Sequence, residues 1–278
     1  MQFGTQMAYS QKLRELFPDI TLQAEDLLLL ESFQINYLPD RVVKKEFAAL
    51  LRKYAVVHRF LVNKHPPIES FLSDLLEENA PVSNPDKIEE YCQEALWEIA
   101  DLIIYNKHPD LIDSMGRIRW DIEEITAITP LEGKAVADVG AGSGRIAFLV
   151  APFAQTVYAV EPITSFRSFM KEKAVKHGTK NLYVMDGTLD SIPLPADSLD
   201  VLITSNAIGW NLSEELKEIE RVIKPGGSAI HLLYTEQQQE NPYHEVLTSA
   251  PWFYGDIQKG SESTLKIIYH KTIDISVT

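Results

Sequence analysis

The pattern of apolar and polar positions divides the chain near residue 130. Before it, apolar residues recur at three- and four-residue spacing, the period of a helix with one buried face. In "DRVVKKEFAALLRKYAVVHRFLV" the stripe is Val43, Phe47, Leu50, Tyr54, Val57 and Leu61, ended by His65, Pro66 and Pro67. "IESFLSDLLEEN" predicts a second helix. "APVSNPDK" reads as a loop from which Asn84 or Asp86 caps a long third helix, "DKIEEYCQEALWEIADLIIYNK". Its apolar side carries Ile88, Tyr91, Cys92, Ala95, Ile99 and Ile103. "HPDLIDSMGRIRWDIEEITAITP" predicts one or two short helices closed by Pro130.

Beyond residue 130 short apolar runs alternate with amphipathic ones. The runs predict strands over 134–139, 156–161, 182–186, 200–205 and 228–234, with helices over 144–152, 164–177 and 213–223. Strands alternating with helices imply a parallel sheet covered on both faces. Two last runs, "WFYGDIQ" and "TLKIIYHKTI", flank a Gly-Ser-rich turn and predict a hairpin at the sheet edge. The expected architecture is an all-α N-terminal domain, residues 1–130, followed by a doubly wound, mostly parallel α/β domain, residues 131–278.

Composition narrows the classes of function. Of 278 residues, 45% are hydrophobic and 24% charged, which is ordinary for a globular chain with a sizeable core. The formal net charge of −14 disfavours a nucleic-acid partner, because binding phosphates needs a basic surface. No apolar run approaches the roughly 20 residues that span a bilayer, and "MQFGTQMAYSQKLRELF" has no secretory h-region. A lone Cys92 forms no internal disulfide and no metal pattern, so a reducing cytoplasm is the expected setting. The seven histidines are scattered without metal-ligand spacing. Arg41, Lys44, Lys45, Arg52, Lys53 and Arg59 make one helix basic, which reads as a solvated face balancing nearby acids.

The chemistry gathers at "AVADVGAGSGRIAF", residues 135–148. Gly140, Gly142 and Gly144 follow a predicted strand and open a predicted helix. Glycine accepts positive φ and lets a ligand approach the backbone, and the amides of a helix start suit an anionic group. A dinucleotide loop reads G-x-G-x-x-G. Here the third glycine comes one residue early and Arg145 takes the sixth position, which disfavours a nicotinamide dehydrogenase. Asp138 precedes the first glycine by two residues. The second strand ends in Glu161, at the distance where an acid accepts both ribose hydroxyls. The third ends in Asp186, able to accept from an exocyclic amine.

Four strings, "VADVGAGSGR", "VYAVEP", "MDGTLDSIPLPADSLDVLITSNAIGW" and "IERVIKPGG", occur in one order and spacing. In this, residues 134 to about 234 resemble a class I S-adenosylmethionine-dependent methyltransferase domain of the small seven-stranded, Rossmann-like kind. The resemblance implies S-adenosyl-L-methionine as cofactor. It implies that Gly140, Gly142 and Gly144 pass beneath the methionine part and that Asp138 holds its amino group. Glu161 would take the ribose hydroxyls, with Pro162 beside the adenine. Asp186 would bind the adenine amine, with the Gly187 or Thr188 amide nearby. Ser205 and Asn206 would lie near the sulfonium. The helices of residues 1–130 match no motif, and by family analogy are expected to cap the acceptor pocket.

No fixed catalytic residue is demanded, because the cofactor carries the reactive methyl. Trp120, Trp210 and Tyr234 are candidate walls of an acceptor pocket, and Glu236 lies near the same strand end as Tyr234. Arg117 or Arg119 are candidates for the cofactor carboxylate. His231 reads as a packed core histidine. "NPYHEV", with Tyr243 and His244, follows the wrong strand for a nucleic-acid amino-methylation motif; "SNAI" stands where that motif belongs. The expected function is methyl transfer to a small-molecule acceptor. The alternatives are a protein acceptor and a catalytically silent cofactor-binding module.

Overall fold

The computed structural model describes residues 6–114, 119–236, 244–248, 254–259 and 264–273, which form two compact units, residues 1–109 and 110–278. The first unit is helical: α1 (Gln6–Leu16), α2 (Ser32–Ile35), α3 (Leu38–Arg41), α4 (Lys44–Lys53), α5 (Ala55–Lys64), α6 (Glu69–Glu78), α7 (Pro85–Glu98) and α8 (Ala100–Lys107). α4 packs on α7, burying Phe47, Leu50 and Leu51 with Tyr91, Cys92 and Ala95. Asn84 caps α7, its side-chain oxygen accepting from the Asp86 and Lys87 amides at 2.9 and 3.3 Å.

Two helices predicted as continuous are broken. The stripe from Val43 to Leu61 is divided between α4 and α5 at Tyr54, whose φ of −117° and ψ of 71° leave the helical region. The third helix breaks in the same way at Ile99 (φ −118°, ψ 22°) between α7 and α8. Both sites continue the apolar stripe, since Val57 and Ile99 are buried. Periodicity reports which face is buried and is blind to a bend that keeps that face inward.

The second unit continues with α9 (Pro109–Ser114), α10 (Ile122–Thr126), β1 (Ala135–Val139), α11 (Arg145–Val150), β2 (Thr156–Val160), α12 (Thr164–His177), β3 (Leu182–Met185), β4 (Leu199–Ser205), α13 (Leu212–Val222), β5 (Ile223–Glu236), α14 (His244–Thr248), β6 (Tyr254–Lys259) and β7 (Thr264–Thr272). Its strands run in the order β3-β2-β1-β4-β5-β7-β6. β1 to β5 pair in parallel, while β7 is antiparallel to β5 and β6 to β7, as the predicted edge hairpin requires. Pro225–Gly227 interrupt the pairing of β5 with β4, since Leu199 opposes Ile223 but Val201 opposes Ser228.

The sheet is covered on both faces. Val136, Val157 and Ile203 pack with Ile146, Ala147 and Met170 on one side. Ala137, Val160 and Leu202 pack with Ile219 and Val222 on the other. Trp120 and Ile125 belong to the first of these clusters, which is why the unit boundary falls at residue 109 and not at 130. No helix among the described residues is long and apolar enough to cross a membrane.

Candidate cofactor-binding site

The site forms where β1, β2 and β4 end. Gly140, Gly142 and Gly144 all have positive φ, at 71°, 54° and 80°, a region that side-chain-bearing residues rarely adopt. Their surroundings differ. A Cβ on Gly140 would stand 2.3 Å from the Ala207 Cβ, so the turn lies directly against the loop that follows β4. A Cβ on Gly144 would meet the Met170 sulfur at 2.8 Å. A Cβ on Gly142 would meet nothing within 4 Å. Two glycines are thus required by the protein's own packing, and the third faces a space the protein leaves open.

Two buried carboxylates stand beside this turn. Asp138 is 1% exposed. Its Oδ2 accepts the Ala147 amide of the first turn of α11 at 2.8 Å, and its Oδ1 has no hydrogen-bond partner among the described residues. Burial pushes its pKa up to about 7; the Ala147 amide opposes the rise and the Glu161 charge adds to it. Glu161 accepts the Gly142 amide at Oε2 (2.7 Å) and the Ile163 amide at Oε1 (2.9 Å). Burial also raises the Glu161 pKa, against those two amides and the Arg167 charge. Each Glu161 oxygen keeps a second lone pair for another donor.

Arg167, unremarked in the sequence, ties the second and third strand ends together. Its Nη1 donates to the Glu161 carbonyl oxygen (2.8 Å) and to Asp186 Oδ1 (2.9 Å), and its Nη2 donates to Thr164 Oγ1 (2.9 Å). The available signal was its place one turn into the helix after Glu161. Asp186 is exposed, and its second oxygen has no protein donor among the hydrogen bonds described. Pro162 is half-buried. Gly187 sits where a Cβ would meet Pro193 and Val160 at 2.6 and 2.9 Å, and Thr188 pairs with Ser191 in an isolated bridge.

On β4, Ser205 ends the strand and Asn206 adopts a φ of 54°. The Asn206 side chain accepts the Tyr234 amide (3.0 Å) and donates to the Tyr234 carbonyl oxygen (3.2 Å), extending the β4–β5 pairing by a side chain. Tyr234 is half-buried and Trp210 is exposed. Trp120 departs from the expectation of a pocket wall: it is buried in the apolar cluster beneath the sheet, with the Lys266 ammonium 4.8 Å from its ring. His231 is the packed core histidine expected, its Nδ1 2.8 Å from Thr204 Oγ1 and its pKa pushed down to about 3 by burial.

The remaining candidates are peripheral. Arg119 and Arg145 are exposed. Arg117, Tyr243 and the Glu236 side chain lie outside the described residues. His244 Nδ1 lies 2.7 Å from the Tyr269 hydroxyl. The basic residues expected on one helix fall on α3, α4 and α5; among them Arg41 pairs with Asp101, Lys44 with Glu78 and Lys53 with Glu89. Among the described residues no group of His, Cys, Asp and Glu is arranged to hold a metal.

These features fit an adenosyl cofactor with a cationic amino end. An orphaned, buried carboxylate oxygen needs a donor or a cation, and Gly142, in the turn that follows the same strand, leaves open space. Residues 137–231 match the family model of a methyltransferase domain. An uncharacterized methyltransferase of Mycobacterium bovis is 27% identical over 40% of this chain and 44% of its own length. One from Bacillus subtilis is 28% identical over 38% and 42%. The chain thus spans less than half the length of the curated relatives it matches. A solved SAM-dependent methyltransferase from Aquifex aeolicus covers 68% of this chain and 99% of its own, at 17% identity and a TM-score of 0.44. Over residues 137–231 the chain is thus similar in sequence to a methyltransferase domain.

Proposed function

We propose that this chain transfers a methyl group from S-adenosyl-L-methionine to a small-molecule acceptor, by in-line displacement at the methyl carbon. Two observations carry the reading: the buried Asp138 Oδ1 lacks a donor, and in the glycine turn that follows the same strand Gly142 leaves open space. The cofactor supplies the reactive group, a methyl on a positively charged sulfur. The protein's own part is to bind and orient. Asp138 offers an acceptor to the cofactor's amino group. Glu161, fixed by the Gly142 and Ile163 amides, offers its remaining lone pairs to the ribose hydroxyls. Asp186, held by Arg167, offers one to the adenine amine. No general base is assigned, since one is needed only where the acceptor must lose a proton. The net charge of −14 supports a small acceptor over a nucleic acid. A lone buried thiol supports a reducing, cytoplasmic setting.

Calorimetric titration with S-adenosylhomocysteine, with NAD as control, tests the reading. The wild-type chain binds the adenosyl ligand and not NAD. Glu161→Ala removes a charged hydrogen-bond partner of the ribose, a loss of about 1.5–3 kcal/mol, or roughly tenfold to 150-fold in affinity. Equal affinity in the variant, or no binding by the wild type, overturns the assignment.

A further inference from the structure

The charge of Asp138 is not balanced by the groups around it. Its side chain lies near the end of β1 and is 1% exposed. Oδ2 accepts the Ala147 amide at 2.8 Å, and Oδ1 has no hydrogen-bond partner among the described residues. The end of β2 brings Glu161, a second carboxylate, 4% exposed, whose charge opposes ionisation of Asp138. α12 brings Arg167, but its guanidinium is engaged by the Glu161 carbonyl oxygen, Asp186 and Thr164. α11 brings Arg145, which is exposed. β4 brings Asp200 at the opposite end of the strand, where it accepts from the Ala135 amide and the Lys224 ammonium. An ionised carboxylate buried without a counter-charge is costly, and such a group takes up a proton instead. Burial accordingly pushes the Asp138 pKa up to about 7.

Resting on the proposed methyltransferase reading, we propose that uptake of the cofactor is coupled to release of a proton from Asp138: the buried carboxyl holds a proton in the cofactor-free chain, and the ammonium of the ligand's amino-acid end takes its place. The O–H bond of the carboxyl breaks, the proton leaves to solvent, and a carboxylate–ammonium pair with no net charge remains. No bond to the ligand is made or broken. A positive charge therefore enters the buried site without leaving that site charged. The coupling makes the chain favour adenosyl ligands with a charged amino end, and only where Asp138 can ionise. Below pH 7 the affinity for such a ligand falls by about tenfold per pH unit, because the proton must first be removed; above 7 it levels off.

The test is calorimetric titration of the full chain at pH 6, in MES, PIPES and imidazole, and at pH 8, in HEPES and Tris. Each buffer takes up a released proton with a different heat, so the binding heat plotted against that of the buffer counts protons. S-adenosylhomocysteine releases close to one Asp138 proton at pH 6 and about a tenth of one at pH 8, and its affinity rises about tenfold between them. 5′-Methylthioadenosine shares the ribose and adenine but has no amino-acid end. It leaves the Asp138 proton in place and releases about one proton fewer at pH 6. Asp138→Asn binds S-adenosylhomocysteine more weakly, with its release reduced to that of 5′-methylthioadenosine. Equal release by the two ligands from the wild type at pH 6, or undiminished release in Asp138→Asn, overturns the proposal; the two-ligand comparison decides it without the variant. Failure of the wild type to bind S-adenosylhomocysteine at pH 8 is a separate result, and overturns the methyltransferase reading instead.

Discussion

At the scale of single residues, the site is set by how Asp138 is solvated. Its carboxyl is sealed under the start of α11 with one oxygen satisfied, and burial holds its pKa at about 7, above the ordinary aspartate value of 3.8. Between those two values the folded chain keeps a proton that the unfolded chain has released. Stability from this group is therefore present at low pH and lost as pH rises toward 7. His231 has the opposite sign: its folded pKa of about 3 lies below the usual 6.5, so its contribution is lost as pH falls through that window. Asp138→Asn keeps an acceptor for the Ala147 amide and cannot titrate. Its thermal midpoint should fall less than that of the wild type between pH 5 and pH 8, by an amount on the order of a few kcal/mol of stability. Parallel pH profiles for the two proteins would place the titration elsewhere. Asp138, Glu161 and the glycines were legible in the sequence because strand-end residues declare themselves where the period changes. Arg167 and Glu215 were not. A charged residue on an amphipathic helix looks solvated until the fold shows which backbone groups it meets.

At the scale of elements, the two loops that meet at Gly140 and Ala207 govern the site. In the first, the glycines separate by role. Gly142→Val should leave a folded chain by circular dichroism, since open space surrounds its Cβ direction and only the φ of 54° is strained. It should abolish binding of S-adenosylhomocysteine; retained binding would mean the open space is not the cofactor's. Gly140→Ala, forced within 2.3 Å of Ala207, should destabilise the fold itself. In the second loop Glu215 accepts the Gly209, Trp210 and Asn211 amides. Glu215→Ala leaves all of them without their acceptor and should cost about 1–3 kcal/mol in urea denaturation. Glu215→Gln keeps one acceptor oxygen and should cost less. Equal losses would show that packing, and not these hydrogen bonds, holds the loop. The sequence marked the first loop as a turn through its glycines, and made no such reading of the second. The pinning came only with the fold, because it joins residues of β4, β5 and α13.

At the scale of the molecule, each unit has its own core: α4 against α7 in the first, two faces of one sheet in the second. Differential scanning calorimetry should therefore resolve two transitions. S-adenosylhomocysteine at about a hundred times its Kd stabilises the unit that binds it by about 2.7 kcal/mol. Only the transition of the α/β unit should move. A single transition shifted as a whole would show that the two cores unfold together.

The sequence by itself determined that helices precede a parallel α/β sheet, that a hairpin ends it, and where the glycine turn and its acids lie. These follow from periods of 3.6 and 2 and from residues with special backbone freedom, which are local properties of a chain. Only the tertiary structure decided the breaks at Tyr54 and Ile99, the burial of Trp120 beneath the sheet, the exposure of Trp210 and the orphaned oxygen of Asp138. Each of these depends on which distant segment packs alongside, and a one-dimensional pattern of apolar positions records that a face is covered without recording what covers it.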